Sequence, residues 1–277
     1  MKGFRRHIVV GCTAVCFGAA VPAGAVTLKC PPDSVKVGNV YIDTYEASVW
    51  QIPPSNIALV KKVQAGKATL TDLTAGGAMQ LSPSPSCPSG FPANFPKGGQ
   101  WTPVLGSNPP SPGVYAVSVA GVAPTACIDW FQAAQACRLS GKRLTTNLEW
   151  QDAAAGTPDP GDTPGPNDCN TSGGPSNTGS RTNCKSSWGV FDMIGNVNEW
   201  VADWADLNTT GCTDSTTGLG LPGSDLVCFG GDGSPKVPGA LVRGGSWFFG
   251  KSAGVFLVAA FHAPSGSSRG IGFRCAR

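Results

Sequence analysis

Apolar and polar residues alternate along VYIDTYEASV, Val40–Val49, which predicts an early β-strand with one buried face. The period changes in WFQAAQACRLS. There Trp130, Ala133, Ala134, Cys137 and Leu139 recur at close to helical spacing, with Asp129 at the N-cap position and Gly141 at the end, so a helix is expected. A second helix is expected over LEWQDAAAG, where Thr146 and Glu149 have the spacing of a capping box and Gly156 closes the run. Between these elements turn formers dominate. Pro, Ser and Gly crowd residues from about 75 to 113, as in SPSPSCPSGFPANFPKGG and SNPPSPG, and predict a long irregular insertion pinned by Cys87. Near the C-terminus LVAAFHAP keeps only weak period-two order, so the pattern alone does not separate a core Phe261 from a surface one.

Composition agrees with a loop-rich protein: charged residues are only 13% of the 277, while there are 38 Gly and 24 Pro. The chain opens with a basic start, a short apolar run from Ile8 to Val21 and the small residues Ala23, Gly24 and Ala25, the layout of a secretory signal peptide over residues 1–25. The run is broken by Gly11 and Gly18 and closed by Pro22, too short for a comfortable membrane span. No membrane span is therefore expected in the mature chain, and export by the general or the twin-arginine route (Arg5, Arg6) is expected. Removing residues 1–25 takes away Lys2, Arg5 and Arg6 and no acid, so the formal charge falls from +3 to zero. That leaves no electrostatic footprint for nucleic acid.

Of 11 cysteines, Cys12 and Cys16 leave with the signal, and nine remain. In an exported chain these read as disulfides with one thiol left over. Cys169 with Cys184 is expected as a local staple, its closure stabilising by about 3 kcal/mol, and Cys212 with Cys228 as a second. Cys127 has no obvious partner. His262 is the single mature histidine and no CxxC occurs, which argues against a zinc site and against a Ser/His/Asp triad.

Four segments together resemble the formylglycine-generating enzyme (sulfatase-modifying factor) superfamily. They are VYIDTYEASV with Glu46, the two helices joined by GKRLTT, GVFDMIGNVNEWVADW at 189–204, and RGGSW with IGFRCAR at the C-terminus. Two departures stand out: Thr145 replaces the usual proline and Asn198 the usual tryptophan. The resemblance implies an α+β, C-type-lectin-like fold over 26–277, loop-rich, with two helices packed on short antiparallel sheets. It pairs Cys137 with Cys275, and it implies a structural calcium ion held by Asp192, Gly195, Val197 and Glu199, as suits a hard cation and clustered oxygens. The bland alternative is that Asp192 and Glu199 cap turns and pair with arginines such as Arg243.

In the catalytic members of that superfamily two cysteines shortly after the GGS turn hold copper, because soft thiolates select Cu(I). Phe249 and Gly254 stand at those places here, so no copper and no oxidase chemistry are expected. The segment 241–277 instead resembles the C-terminal variable repeat of proteins diversified by retroelements. Fixed RGGSW, AGVF, APS and IGFRCAR blocks frame Phe248, Phe249, Lys251, Ser252, Ala259, Phe261, His262, Gly266, Ser268, Arg269 and Gly270 as ligand-reading positions. The resemblance implies a non-enzymatic receptor or adhesin that binds a protein or glycan at a cell or phage surface. Replacing Phe261 or His262 by Ala is then expected to change affinity and to leave the melting temperature nearly unchanged. Two other classes remain open at this point: an oxidase or other enzyme of the superfamily using the leftover thiol, and a structural component of an envelope complex.

Overall fold

The computed structural model describes residues 31–86, 91–92, 95, 113–206, 224–229 and 238–277. Residues 1–25, where a signal peptide is expected, Cys30, Cys87, Cys212 and most of the Pro/Ser/Gly-rich insertion lie outside the described residues.

The early strand is two strands, not one. β1 (Ser34–Val37) and β2 (Val40–Asp43) form a hairpin, and β3 (Ser48–Gln51) follows after a break that carries Glu46. Two helices that turn-rich surroundings concealed come next. α1 (Ile57–Gln64) starts at Asn56, whose side chain accepts from Leu59 N, and α2 (Leu70–Ala75) starts at a capping box made by Thr69 and Asp72. β4 (Met79–Leu81) and β5 (Val114–Val117) then flank β3 in a three-stranded antiparallel sheet, so the insertion begins with an ordered strand. The two expected helices are present as α3 (Trp130–Leu139) and α4 (Asn147–Ala153), capped by Asp129 and Thr146, with β6 (Arg143–Leu144) between them.

The C-terminal half supplies β7 (Asn198–Ala205), β8 (Val227–Cys228), β9 (Gly239–Gly244), β10 (Gly254–His262), β11 (Ile271–Phe273) and β12 (Cys275–Ala276). A five-stranded sheet runs β11-β7-β9-β10-β8, antiparallel at its centre and parallel at its two edge pairs, and a four-stranded sheet runs β1-β2-β12-β6.

The five-stranded sheet is covered on both faces. Ala133, Ala136 and Cys137 of α3 share one core cluster with Trp200, Val242, Ala259 and Phe273. Trp150 of α4 shares another with Val201, Leu241, Val258 and Ala260. A strand buried on both sides reads as a continuous apolar run, which is why LVAA in β10 shows so little alternation. Leu59, Val63 and Leu73 of α1 and α2 close a third cluster on Trp50, Tyr115 and Val117.

Disulfides join Cys137 to Cys275 and Cys169 to Cys184, both as expected. Cys127 and Cys228 are disulfide-bonded too, so Cys127 is not the leftover thiol. No described helix is long and apolar enough to cross a membrane.

Candidate ligand-binding face

Gly244 and Gly245 turn the chain out of β9 with φ of +84° and +83°, in the left-handed region. At Gly245 a Cβ would fall 2.5 Å from the Cβ of Ala253, so this tight turn admits no side chain. The turn delivers Trp247, Phe248 and Phe249 as a connected row: Trp247 and Phe248 meet edge to face with centroids 4.9 Å apart, and Phe249 follows at 5.3 Å. Phe248 is 49% exposed. Phe249 is half-buried against the Cys169–Cys184 disulfide, Ile194 and Ala253.

The second wall is the 266–270 loop. Ser268 O accepts from Cys127 N and from Ile271 N, which ties the loop to the frame. Arg269 is exposed with its guanidinium 5.3 Å from the centroid of the Trp247 ring, and its own carbonyl accepts from Ser84 Oγ. Gly270 is buried beneath the Phe248 ring. Lys251 is exposed at the start of the next segment, and its amide donates to Asp162 Oδ1.

The expected ligand-reading positions therefore divide. Phe248, Phe249, Lys251, Ser252, Gly266, Ser268 and Arg269 have at least partial exposure on the two loops. Ala259 is fully buried in β10, packed in the main core, and offers no surface. Phe261 is half-buried against the same core, and the His262 ring lies 6.1 Å from that of buried Trp200. Ala259 is thus closed off inside the sheet, while Phe261 and His262, at the C-terminal end of β10, pack on the core with one part of each still exposed.

Two residues of the face were not legible beforehand. Trp247 counts as scaffold in the RGGSW block, yet its ring carries Arg269. Asn198 donates both its backbone N, at 2.8 Å, and its Nδ2, at 3.4 Å, to Gly270 O, so it anchors the loop under Phe248. Its departure from the usual tryptophan was the available signal.

Below this face lies a buried acidic centre. Glu46 accepts from Asn196 Nδ2 at 2.5 Å and from Val197 N at 3.0 Å. Asn196 sits at φ +56°, a conformation asparagine tolerates. Glu199 gives both oxygens to Arg274, at 2.7 and 2.5 Å, and Oε2 also accepts from Trp150 Nε1. The arginine that pairs with Glu199 is thus Arg274, while Arg243 lies over the Trp150 ring and donates to Gln151 and to Val255 O. Asp192 accepts from Gly179 N through Oδ2, and its buried Oδ1 has no partner. Burial, with Asp192 and Glu199 nearby, pushes Glu46 well above the usual carboxylate range, and burial lifts Asp192 to about 6. Three carboxylates, Glu46, Asp192 and Glu199, face the one guanidinium of Arg274, and Asp192 Oδ1 is left bare.

A mixed sheet wrapped by short helices, with irregular loops presented at one end, is the C-type-lectin-like architecture. The chain belongs to the sulfatase-modifying factor enzyme 1-like domain family, whose model matches residues 15–277. No curated protein is similar to it in sequence. Among solved structures it is similar to the Major Tropism Determinant U1 variant, at 19% identity and a TM-score of 0.48, covering 89% of this chain and 52% of that one. It therefore spans about half the length of that protein. It is also similar to Treponema denticola variable protein 1, at 17% identity and a TM-score of 0.35, covering 88% and 97% of the two chains. A further similar structure is PvdO from Pseudomonas aeruginosa, at 19% identity and a TM-score of 0.34, covering 86% and 80%.

Proposed function

We propose that the chain is an exported, non-enzymatic ligand-binding protein of the retroelement-diversified kind, which reads a protein or glycan at a cell or phage surface through the Trp247–Phe249 and Ser268–Gly270 loops. The observation that carries this reading is Phe248, a phenylalanine 49% exposed on a turn that is itself rigidly packed, with the Trp247 ring and the Arg269 guanidinium beside it. Aromatic and arginine side chains grouped in this way are the residue types that dominate binding energy at interfaces. Loops held by a fixed frame are also where side chains change at least cost to the fold.

Every cysteine among the described residues is in a disulfide, which supports a binding role over thiolate-based copper chemistry. A calcium ion would be held by Asp192 Oδ1 and the carbonyls of Gly195 and Val197, with Glu199 shared with Arg274. Its contribution is charge balance for the buried carboxylates.

The deciding experiment is to sequence the DNA downstream of the gene. A near-copy of the codons for residues 241–277 beside a reverse transcriptase gene, differing mainly at adenines, supports the reading. Absence of any such copy removes diversification and leaves a fixed partner.

A further inference from the structure

Lys142 stands immediately before β6 with its side chain fully buried, and its Nζ lies 2.6 Å from Asp43 Oδ1 and 2.6 Å from Asp33 Oδ2. The three side chains come from different places in the sheet. Asp43 ends β2, Asp33 precedes β1, and β12 runs between β2 and β6. The remaining oxygens are also held: Asp43 Oδ2 accepts from Cys275 N at 3.3 Å, and Asp33 Oδ1 from Ser34 Oγ and from Arg277 Nη1. A buried lysine nitrogen is thus held against one oxygen of the Asp43 carboxyl group, with a second carboxylate on the same nitrogen.

The geometry points to a covalent amide between Lys142 Nζ and Asp43 Cγ, formed within the folded chain with Asp33 as the proton carrier. The two aspartates are suited to different parts. Burial lifts Asp43 to about 6, so it takes up a proton readily. Burial also pushes Asp33 up, but Lys142 and Arg277 more than offset this and hold it below its ordinary value, ionised. Two acids whose surroundings drive them apart make an acid and base pair.

The step begins when a proton moves from the ammonium to Asp43 Oδ1 along the 2.6 Å contact, leaving a neutral amine beside a neutral acid. The deprotonated amine is the nucleophile of the step. The Nζ lone pair attacks Cγ, and the Cys275 amide steadies the oxyanion on Oδ2. Asp33 Oδ2 takes an N–H proton and passes it to the Asp43 hydroxyl, which departs as water. One C–N bond forms, one C–O bond breaks, and no oxidant or cofactor is needed. Fixed approach supplies the effective concentration that such a condensation requires.

The product would tie β2 to β6 across the C-terminal strand β12, the strand that the Cys137–Cys275 disulfide already anchors to α3. The inference stands on this triad alone and is independent of the ligand-binding reading.

The test is peptide mass spectrometry of the purified full chain after denaturation, reduction, alkylation and trypsin digestion. The expected result is residues 37–61 joined to residues 139–143, one water lighter than the two peptides together. Recovery of residues 37–61 and 139–142 as separate peptides, the second cut after a free Lys142, from protein first confirmed folded and held at neutral pH, overturns the proposal. Residues 30–36 joined to 139–143 overturns the choice of Asp43. In Asp33→Asn the linkage should form more slowly by about 100-fold or more. Unchanged linkage in that variant would remove Asp33 from the mechanism.

Discussion

The ring of Phe248 occupies the space that Gly270 leaves empty: a Cβ on Gly270 would fall 2.4 Å from Phe248 Cε1. Asn198, on the adjacent strand β7, holds the same glycine through Gly270 O. The most exposed aromatic residue of the two loops is therefore positioned by a residue with no side chain, on a loop pinned by the neighbouring strand β7.

Gly270→Ala tests that contact. The added methyl must push the Phe248 ring outward, so ligand affinity should fall while α3 and the five-stranded sheet keep their packing. Binding to the ligand-bearing surface, measured beside a near-ultraviolet circular dichroism spectrum, checks it. Unchanged affinity with a displaced ring would show that Phe248 is not a contact.

Phe248→Ala and Phe261→Ala should separate affinity from stability. Phe248 is half exposed, so its loss should weaken binding and move the melting temperature little. Phe261 packs on the main core, and its truncation should cost roughly 2–4 kcal/mol. For Phe261 this replaces the expectation that its replacement by Ala leaves the melting temperature nearly unchanged. Equal melting temperatures for the two variants would contradict the assignment of Phe261 to the core.

A hard cation should stabilise the acidic centre around Asp192. Calcium added to chelator-treated protein at a hundredfold excess over Kd should contribute about 2.7 kcal/mol, seen as a rise in melting temperature. Asp192→Ala should abolish the response, because it removes the bare Oδ1. A response that survives in the variant would place the ion elsewhere.

Asp43 gives a pH signature that depends on Lys142. Lys142→Arg cannot form the amide, so Asp43 stays titratable in that variant. Its folded-state value is raised from 3.8 to about 6 by burial, so its stabilising contribution is complete below the ordinary value and is lost as pH rises through about 6. Asp33, lowered overall by Lys142 and Arg277 in the parent, acts in the opposite sense at more acid pH. The variant should melt at lower temperature as pH goes from about 4 to about 6, and the linked parent should not show that decline. A melting temperature that rises in the variant across this interval would refute the assignment.

Local rules are written in short stretches of chain, and those parts were legible from residues alone. The caps at Asp129 and Thr146 and the short staple of Cys169 with Cys184 each depend on neighbours within about a dozen positions. The Cys137–Cys275 pairing and the family frame came from motif resemblance. What needed the tertiary structure were the relations set by sheet order and by covering both faces of one sheet. The five-stranded sheet buries Ala259 and part of Phe261 from one side and Leu241 and Val258 from the other, which erases the alternation that marks a surface strand. Glu199 meets Arg274 and not Arg243 because β11 runs parallel to β7 and brings the end of the chain beside it. Lys142 meets Asp33 and Asp43 because β12 inserts between β2 and β6. Spacing along a chain carries no information about which distant carboxylate a buried cation will find; only the packing of the sheet decides that.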